Sequence, residues 1–482
     1  MSETVFEAVI GLEVHIQLSN QTKMFAPESF TFGSDANHHV SEVSMAHPGA
    51  LPRTNKRAIR LASKLGLALN CQINSPAFFD RKNYFYPDLP KGYQISQDSH
   101  PICGPGHVSF PMPDGSIKKI RIHHMHLEED AGKSIHDVTD YHSMVDLNRA
   151  GAGLIEMVTQ PDLKSPEEAA AFLMEIRRIV RYLNISEGNM QEGNLRCDAN
   201  VSVKPLGQEK LGTRVEIKNI NSFNFLSKAI QYEIDRQIQH IKDGGSITQE
   251  TRTYDPVKNR TSSMRDKESA DDYRYFPEPD LQPVEVSEEE QMVLKKEIVK
   301  LPSEKYQEYR GLNFAHNESM ALIEEYAFSA YFDEISQLSK ESKEAANWML
   351  GSVKAWLNEN GTDMNSFPIP SQHMALFIQM VKSAKVPRHL AKEQLFPAML
   401  KEPQKSPAEL ATSLNLATES NEGELEKVVT SIFEAHPNEA ERFRNGQKKL
   451  QGFFVGQIMK AMKGKADPKA VNKILAKMAS KK

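Results

Sequence analysis

The sequence predicts an α+β protein, in which a mostly antiparallel sheet is followed by an all-α region and a small all-α tail. Up to about residue 290 the chain is rich in glycine, proline and stretches where apolar and polar residues alternate, a pattern typical of half-buried strands. From about residue 293 the apolar residues recur with helical spacing, and a link rich in Pro, Ser and Glu near residues 402–409 precedes the tail. These changes of pattern divide the chain into three parts.

Three stretches alternate strictly enough to predict strands with one apolar and one polar face. In AVIGLEVHIQL, every second residue from Ala8 to Leu18 is apolar, and Glu13 and His15 lie on the other face. The alternation recurs in LRCDANVSVK and in RVEIK. A sheet with one solvent-exposed face explains this pattern, and so does a functional site on the polar face. The polar residues of these two strands are Arg196, Asp198, Asn200, Ser202 and Lys204, then Arg214, Glu216 and Lys218.

Two helices are predicted within the same part of the chain. SPEEAAAFLMEIRRIVRYL carries a capping signature, with Ser165 as N-cap, Pro166 in the first turn and Glu168 three residues after the cap. FLSKAIQYEIDRQIQHIKDGG has helical periodicity and ends at Gly244 and Gly245, because glycine commonly follows the last helical turn.

The composition predicts a soluble protein of a reducing compartment. Charged residues make up 26% of the 482, and no apolar run approaches the roughly 20 residues of a membrane span. The start, MSETVFEAVIG, has acidic residues where a signal peptide would be basic. Cys71, Cys103 and Cys197 are far apart and form no C-x-x-C pair, so we expect a cytoplasmic protein without a thiolate metal site.

Charge is unevenly distributed along the chain. Residues 442–482 hold 12 lysines and arginines and one aspartate, a net charge of +11, so the preceding residues carry −16 of the overall −5. A basic terminal segment on an acidic body favours a polyanionic partner such as nucleic acid. A solvated lysine-rich helix would give the same count, and charge alone does not separate the two interpretations.

The stretch HLEEDAGKS, residues 126–134, joins three adjacent acids to a Gly-Lys-Ser ending. The ending resembles a phosphate-binding loop, G-x-x-x-x-G-K-[ST], but the first glycine of that motif would stand at Leu127. Glu128, Glu129 and Asp130 would also repel phosphate where backbone amides should cradle it. We therefore reject the phosphate-loop interpretation, and the acids need another explanation.

Glu156 interrupts the apolar run GLIEMV, where a buried charge is costly unless it is paired or bound to a metal. With Glu13, His15, Glu128 and Glu129 it would form a carboxylate-rich site with one imidazole. Such hard oxygen ligands favour Mg²⁺ or Mn²⁺ over Zn²⁺. Neighbours on a regular strand point to opposite faces, so Glu128 and Glu129 can share a metal only at a strand end or bulge. We predict that the strand ends at these acids.

The remaining candidates carry less information. The histidines of HHMH, residues 123–126, and of His38 and its neighbour are more simply explained as solvated or packed than as metal ligands. The loop DRKNYFYPDLPKGYQISQ mixes aromatic rings with Lys82 and Lys91. It predicts either bases stacking on its rings or an aromatic-pinned surface loop. The sequence has no G-x-S-x-G elbow and no convincing Cys/His pair, so covalent nucleophilic chemistry is not expected.

Eight stretches, in one order from near residue 5 to about residue 476, carry a family resemblance. They are VIGLEVHIQL, DRKNYFYPDLPKGYQISQ, EEDAGKS, DLNRAGAGLIEMV, QEGNLRCDANVS, EIKNINSFNF, DDYRYFPEPDL and GFFVGQIMKAMKGKADPKAVN. They resemble the GatB family, whose members form one subunit of the bacterial aspartyl/glutamyl-tRNA amidotransferase. The resemblance implies a catalytic cradle domain at 1–292, a helical domain at 293–408 and a tail domain resembling the YqeY family at 409–482.

The resemblance also implies an activity. ATP would phosphorylate the side-chain carboxylate of Glu on tRNA(Gln) or of Asp on tRNA(Asn), and ammonia would displace the phosphate to leave the amide. A glutaminase subunit would make ammonia from glutamine, and a small third subunit would complete a heterotrimeric carbon–nitrogen ligase. The glutaminase's place in another chain would explain the missing nucleophile. The basic tail would hold the tRNA body through its phosphates. The alternative is a non-catalytic tRNA-binding scaffold of the same complex.

For the site, the resemblance implies Mg²⁺ held by Glu13, His15, Glu128, Glu129 and Glu156, with catalytic roles for Glu13, His15, Glu129 and Glu156. Phosphoryl transfer from ATP to a carboxylate brings anions together, and a divalent cation would neutralise that charge. The candidates for binding ATP on neighbouring polar faces are Lys82, Lys91, Arg149, Arg196 and Lys218.

The chain departs from the resemblance in one lobe. Many relatives carry four cysteines for a structural zinc, and the corresponding places here read Ala26, Glu28, Ser41 and Ser44. We therefore expect no structural zinc, and we expect packing to hold this lobe together.

Overall fold

The computed structural model describes residues 4–136, 141–264, 273–416, 422–447, 449–462, 466 and 468–479. The chain divides into two compact units, with the boundary between Tyr309 and Arg310. Strands occupy the first unit and helices the second, so the predicted α+β order is confirmed. The finer division into domains at 1–292, 293–408 and 409–482 stays a prediction.

The strands of the first unit form a large sheet, a small sheet and a hairpin. They are β1 (Phe6–Gln17), β2 (Asp80–Asn83), β3 (Tyr93–Ser96), β4 (Gly106–Pro111), β5 (Ile117–Glu129), β6 (Lys133–Ile135), β7 (Met144–Asp146), β8 (Gly153–Thr159), β9 (Leu195–Pro205), β10 (Val215–Ile220), β11 (Thr251–Asp255), β12 (Arg260–Ser263) and β13 (Phe276–Pro277).

The large sheet has eight strands in the order β12-β11-β10-β9-β1-β8-β5-β4. Its neighbours are antiparallel except for the parallel pair β10–β11, which confirms the mostly antiparallel prediction. The small sheet has the order β13-β2-β3, and β6 pairs with β7.

Helices α1 to α5 belong to or begin in the first unit, and the others follow in the second. They are α1 (Lys56–Ala68), α2 (Pro166–Tyr182), α3 (Phe223–Lys242), α4 (Glu288–Lys296), α5 (Pro302–Gly311), α6 (His316–Leu322), α7 (Tyr326–Ser339), α8 (Ser342–Trp348), α9 (Lys354–Asn360), α10 (Ser371–Lys382), α11 (Arg388–Leu390), α12 (Phe396–Lys401), α13 (Pro407–Ser413), α14 (Glu422–Ala435), α15 (Pro437–Arg444), α16 (Leu450–Ala461) and α17 (Pro468–Ala479). π-Helical turns at Met349–Val353 and Ala391–Leu395 join α8 to α9 and α11 to α12.

Both helices predicted in the first unit are present. The Ser165 hydroxyl accepts the Glu168 amide at 3.2 Å and starts α2, as its capping signature predicts. The Glu168 carboxylate accepts the amide of Lys164 rather than that of Ser165, so the capping box is incomplete. Helix α3 ends just before Gly244, whose φ of +83° is the left-handed conformation that glycine adopts at helix ends.

The apolar face of β1 builds the core of the first unit. Ile10, Val14 and Ile16 are completely buried in one cluster with side chains of α2 and α3, such as Phe172 and Ile230. The helices therefore cover one face of the large sheet. The polar residues of β1 point to the opposite face, where the candidate site lies.

Gly132 links the end of β5 to the hairpin β6–β7. Its amide donates to the Asp88 carbonyl at 2.9 Å. A Cβ atom on Gly132 would lie 2.9 Å from the Asp146 carbonyl oxygen and 3.0 Å from that of Asp88, so only glycine fits. A strand follows Gly132, whereas a phosphate-binding loop is followed by a helix. The structure therefore supports the rejection of a phosphate loop.

Helices α14 to α17 surround a small core of their own. Among its buried members are Val429, Phe433, Phe454, Ile458 and Val471. In the portion of the chain that the structure describes, no helix combines the length and apolar character needed to cross a membrane.

Candidate active site

Three adjacent strands bring the predicted acids and imidazole together. Because β8 lies between β1 and β5, Glu156 is paired with His15 on one side and with His126 on the other. The Glu156 Oε2 atom lies 3.2 Å from His15 Nε2 and 3.4 Å from His126 Nε2. Glu128 follows His126 by two residues, and its carboxylate oxygens lie 3.6 Å from each imidazole. We call these four residues the acid–imidazole cluster.

The members of the acid–imidazole cluster hold one another in their charged forms. Burial opposes protonation of His126, but hydrogen bonds and the charges of Glu128 and Glu156 raise its pKa to about 10. The pKa of His15 is also raised, because Glu156 and Glu128 outweigh burial. In return, the two imidazoles hold the pKa of Glu156 well below its usual range against the effect of burial. The cluster thus balances its own charge inside the sheet.

The donor atoms of this cluster suit a hard divalent cation. One ligand atom each from His15, Glu128 and Glu156 lies within 4.8 Å of the others. Two carboxylates and one imidazole nitrogen are donors that Mg²⁺ and Mn²⁺ accept. His126 Nδ1 lies 3.2 Å from His124 Nε2, which directs its other nitrogen toward the carboxylates. His15, Glu128 and Glu156 could therefore hold the cation, with His126 as a hydrogen-bonding neighbour.

Glu13 lies beside the acid–imidazole cluster. It shares a face of β1 with His15, and its carboxylate accepts the Asn200 amide at 2.9 Å. Burial and the charge of Glu156 raise the pKa of Glu13. The environments of Glu13 and Glu156 therefore push two neighbouring carboxylates in opposite directions, an arrangement typical of separate acid and base roles.

Glu129 points away from the acid–imidazole cluster. Its carboxylate is bound by the Lys91 ammonium and accepts the Ile95 amide at 3.0 Å, while its carbonyl accepts the Gln94 amide at 2.7 Å. Strand β5 ends at Glu129, as predicted. The strand end does not join the carboxylates of Glu128 and Glu129, because each engages different partners. A metal or catalytic role for Glu129 stays a prediction.

Three of the five candidate cations line one cleft. The cleft has a volume of about 750 Å³ and opens beside His15. Arg149, Arg196 and Lys218 line it, together with Lys133. Positive side chains from separate strands and loops therefore converge next to the cluster, as the alternating patterns of β9 and β10 predicted for Arg196 and Lys218.

Acids that the sequence interpretation did not assign to the site hold these cations. Arg196 lies 2.7 Å and Arg149 lies 3.3 Å from the Asp130 carboxylate. Lys218 lies 2.9 Å from Asp198. The cations are thus positioned before any ligand is present, and Asp130 and Asp198 act as exchangeable counter-ions.

The other two candidate cations belong to the small sheet. Lys91 on the loop before β3 binds Glu129, and Lys82 on β2 lies with its Nζ atom 4.7 Å from the centre of the Tyr273 ring. Burial lowers the pKa of Lys82, but the nearby charges of Glu128 and other groups raise it overall. Lys82 therefore faces the acid–imidazole cluster from a second direction.

His126 is the main member of the site that the sequence interpretation missed. It was assigned to solvent or packing, yet its ring completes the acid–imidazole cluster. The two-residue spacing between His126 and Glu128 was the available signal, because residues two apart on a strand share one face.

The lobe that lacks the zinc cysteines contains a buried ion pair. Lys23 is completely buried, and its ammonium lies 3.2 Å from Glu28 and 3.2 Å from the Ser44 hydroxyl. Burial raises the pKa of Glu28, but hydrogen bonds from Ser44 and Ser41 lower it overall. Glu28, Ser41 and Ser44 are therefore engaged in internal hydrogen bonds. The expectation that no zinc binds here stays a prediction.

Comparison with known proteins defines the class of this chain. A family model described as the GatB/GatE catalytic domain matches residues 8–292, which include the whole acid–imidazole cluster. A second model, described as the GatB domain, matches residues 330–478. The fold and site are thus those of a GatB/GatE catalytic domain followed by a GatB helical domain.

Relatives match over the full length. The chain is 46% identical to the GatB subunit of the aspartyl/glutamyl-tRNA(Asn/Gln) amidotransferase of Thermodesulfovibrio yellowstonii, over 98% of this chain and 99% of that protein. It is 44% identical to the proteins of the same name from Persephonella marina (98% and 99% covered) and Synechococcus elongatus (98% and 97%). The chain belongs to the GatB family of aspartyl/glutamyl-tRNA(Asn/Gln) amidotransferase subunits, which confirms the resemblance.

Proposed function

We propose that this chain is the amidating subunit of a tRNA-dependent amidotransferase. Its substrates would be Glu-tRNA(Gln), Asp-tRNA(Asn) or both, with ATP phosphorylating the side-chain carboxylate and ammonia displacing the phosphate. The observation that carries the proposal is the acid–imidazole cluster of His15, His126, Glu128 and Glu156 beside a cleft lined with cations. The family membership supports it, since the relatives carry the name of such an amidotransferase.

The proposal includes a complex in the cytoplasm. A glutaminase subunit would supply ammonia from glutamine, and a small third subunit would complete the heterotrimer. The relatives are each named as one subunit of an amidotransferase, which supports assembly with further subunits. The missing covalent nucleophile in this sequence fits a glutaminase reaction carried out by another chain. The whole complex would be a glutamine-hydrolysing carbon–nitrogen ligase.

His15, Glu128 and Glu156 are the residues that would hold Mg²⁺. When bound, the cation would neutralise the charge that gathers where ATP phosphates meet a carboxylate. Arg149, Arg196 and Lys218 would bind the phosphates by exchanging their ion pairs with Asp130 and Asp198 for phosphate oxygens. These arginines can grip two oxygens at once, which fixes the orientation of the transferred group.

Glu13 is suited to proton transfer in the second half of the reaction. Ammonia must lose a proton as its nitrogen forms the bond to the activated carbon, and a base with a pKa raised toward neutrality accepts it well. Burial and the charge of Glu156 raise the pKa of Glu13, and its Asn200 partner fixes its orientation. His126 would hold the metal-binding carboxylates in place.

The experiment bypasses the glutaminase. The reconstituted complex receives mischarged tRNA, ATP, Mg²⁺ and ammonium chloride in place of glutamine, and both ADP and amidated tRNA are followed. We expect the wild type to form both products and Glu156→Gln to form neither, while its affinity for tRNA stays within a few-fold of the wild type.

The matched control is Glu7→Gln, which changes the same residue type on the same strand as His15 but at an ion pair with Lys204, away from the cluster. Thermal unfolding of each variant checks that it is folded. If a folded Glu156→Gln variant were as active as the wild type, the phosphorylation would take place elsewhere. The scaffold function, which the basic tail also fits, would then replace this proposal.

A further inference from the structure

Four tyrosine rings form a continuous row beside the small sheet. Ring centres of Tyr86 and Tyr84 are 5.8 Å apart, those of Tyr84 and Tyr273 are 6.1 Å apart, and those of Tyr273 and Tyr275 are 6.3 Å apart. Tyr84 and Tyr86 follow β2, whereas the other two precede β13, which pairs with β2. We call these four residues the tyrosine row.

Backbone hydrogen bonds fix the row in place. The Asn83 amide donates to the Tyr273 carbonyl at 2.8 Å, and the Asn83 side chain donates to the Arg274 carbonyl at 2.7 Å. On the other side, the Tyr84 amide donates to the Gly92 carbonyl at 3.2 Å and closes the loop. The rings are therefore held by two strands of one sheet rather than by a free loop.

The outer end of the row carries an exposed phenylalanine. Phe85 is 89% exposed, although a phenyl ring loses free energy in water. Its ring rests against Gly92, whose φ is +71° and where an added Cβ would lie 3.0 Å from that ring. The protein thus supports a bare aromatic surface next to the row, beside Tyr86, Tyr273 and Tyr275, which are also exposed.

The inner end of the row reaches the acid–imidazole cluster. Lys82 Nζ lies 4.7 Å from the centre of the Tyr273 ring. Its nearest charged neighbours include Glu128 and Glu156, which act on it through space. Within the residues that the structure describes, Lys82 makes no ion pair, so its positive charge is available to an anionic ligand at this end.

We propose that the tyrosine row and Phe85 bind the unpaired 3′ end of the tRNA by stacking its bases, with Lys82 receiving a phosphate near the terminal nucleotide. This inference rests on the proposed function, because only a tRNA substrate must bring its aminoacylated 3′ end to the acid–imidazole cluster. The row would guide that end from the surface, at Phe85 and Tyr86, to the carboxylates.

The chemistry of the row favours single-stranded nucleic acid. Aromatic side chains bind unpaired bases by stacking, and a lysine that lacks a counter-ion complements phosphate. A lone adenine of ATP would need one or two rings, whereas this row joins four rings and an exposed fifth. A protein interface would be expected to bury its aromatic rings in an apolar core, whereas these rings carry hydroxyl groups and lie beside charged residues.

The test compares two tRNAs on the complete complex. One tRNA is intact, and the other lacks its unpaired 3′ nucleotides. We expect Phe85→Ala to weaken binding of the intact tRNA roughly 5- to 150-fold, as removal of one stacking contact does, and to leave binding of the shortened tRNA unchanged. Phe85→Tyr keeps a ring and should restore the wild-type affinity. Tyr86→Ala should act in the same direction as Phe85→Ala.

The matched control is Tyr141→Ala, which removes another side chain that is 89% exposed but lies outside the row. It should bind both tRNAs as the wild type does. Because Phe85 and Tyr141 are exposed, neither change should disturb folding.

Four outcomes would overturn the proposal. Phe85→Ala and Tyr86→Ala could both leave binding of intact tRNA unchanged, or they could weaken both tRNAs equally. They could raise the KM for ATP alone, which would assign the row to the nucleotide. They could instead prevent assembly of the complex in size-exclusion chromatography, which would assign it to contact with another protein of the complex. Wild-type amidation with ammonium, measured in parallel, shows whether the proposed function stands in each case.

Discussion

The carboxylate of Glu156 bridges two imidazoles from two different strands, with its Oε2 atom 3.2 Å from His15 and 3.4 Å from His126. The bridge lies between β1 and β5 on the strand that pairs with both. Removing one member of a buried ion pair leaves an uncompensated charge, which destabilises proteins more than the intact pair stabilises them. The central strands and the candidate site therefore depend on the same four side chains.

Stability in the absence of metal should fall on the alkaline side of neutrality. The pKa of His126 is raised from 6.5 to about 10, so its stabilisation is complete below about pH 6.5 and is lost as pH rises through 10. The pKa of Glu156 is lowered from 4.5, so its contribution is present above that pH and is lost as pH falls further. Urea unfolding in EDTA should show a lower midpoint at pH 9.5 than at pH 6.5, roughly following this linkage.

His126→Gln serves as the comparison for this pH dependence. It removes the titrating imidazole but keeps a hydrogen-bond donor, so its midpoint should change less between the same two pH values. Equal slopes for the variant and the wild type would show that other groups cause the change.

Glu128→Gln should weaken binding of the metal. It replaces an anionic oxygen donor by a neutral amide, and even indirect changes near a metal site reduce affinity roughly 10- to 100-fold. We expect the Mg²⁺ concentration for half-maximal ADP formation to rise by about tenfold or more. Titrating Mg²⁺ against ADP formation measures this, and an unchanged midpoint would remove Glu128 from the ligand set.

Glu129→Gln should abolish amide formation while leaving tRNA affinity within a few-fold. The carboxylate of Glu129 holds the Lys91 ammonium and the Ile95 amide, so the change would release a cation and the start of β3. Amidation with ammonium and tRNA binding are measured on the same preparation. Full activity of the variant would exclude Glu129 from the catalytic set.

Glu28→Gln should destabilise the first unit. Lys23 would remain completely buried without its anionic partner, and breaking such a pair costs roughly 3–5 kcal/mol. Urea unfolding measures the loss, and adding Lys23→Met to the variant should recover part of it by removing the stranded charge. Stoichiometric zinc in the purified protein would contradict our account of this lobe.

Local pattern was enough to predict the individual elements. The alternation from Ala8 to Leu18 predicted both faces of β1, and Ser165 marked the start of α2. These features depend on neighbours within one or two turns of chain, which a sequence shows directly.

The relations between distant elements were not predictable in the same way. His126 belongs to the acid–imidazole cluster only because β8 pairs with β5 in one register, and a register is set by the assembled sheet. Tyr84 and Tyr273 meet only because β13 pairs with β2. The sequence indicated the residue types of the site, but their neighbours depended on strand pairing.

Gly132 has a mechanical consequence. Its amide is bonded to the Asp88 carbonyl, and Arg149 donates to its carbonyl at 2.9 Å. The loop that carries Tyr86, the strand that carries Glu128 and a cation of the cleft are therefore fastened at one point. Displacement of any of them by a ligand would be transmitted to the other two, so occupancy of the cleft and the position of the aromatic rings should change together.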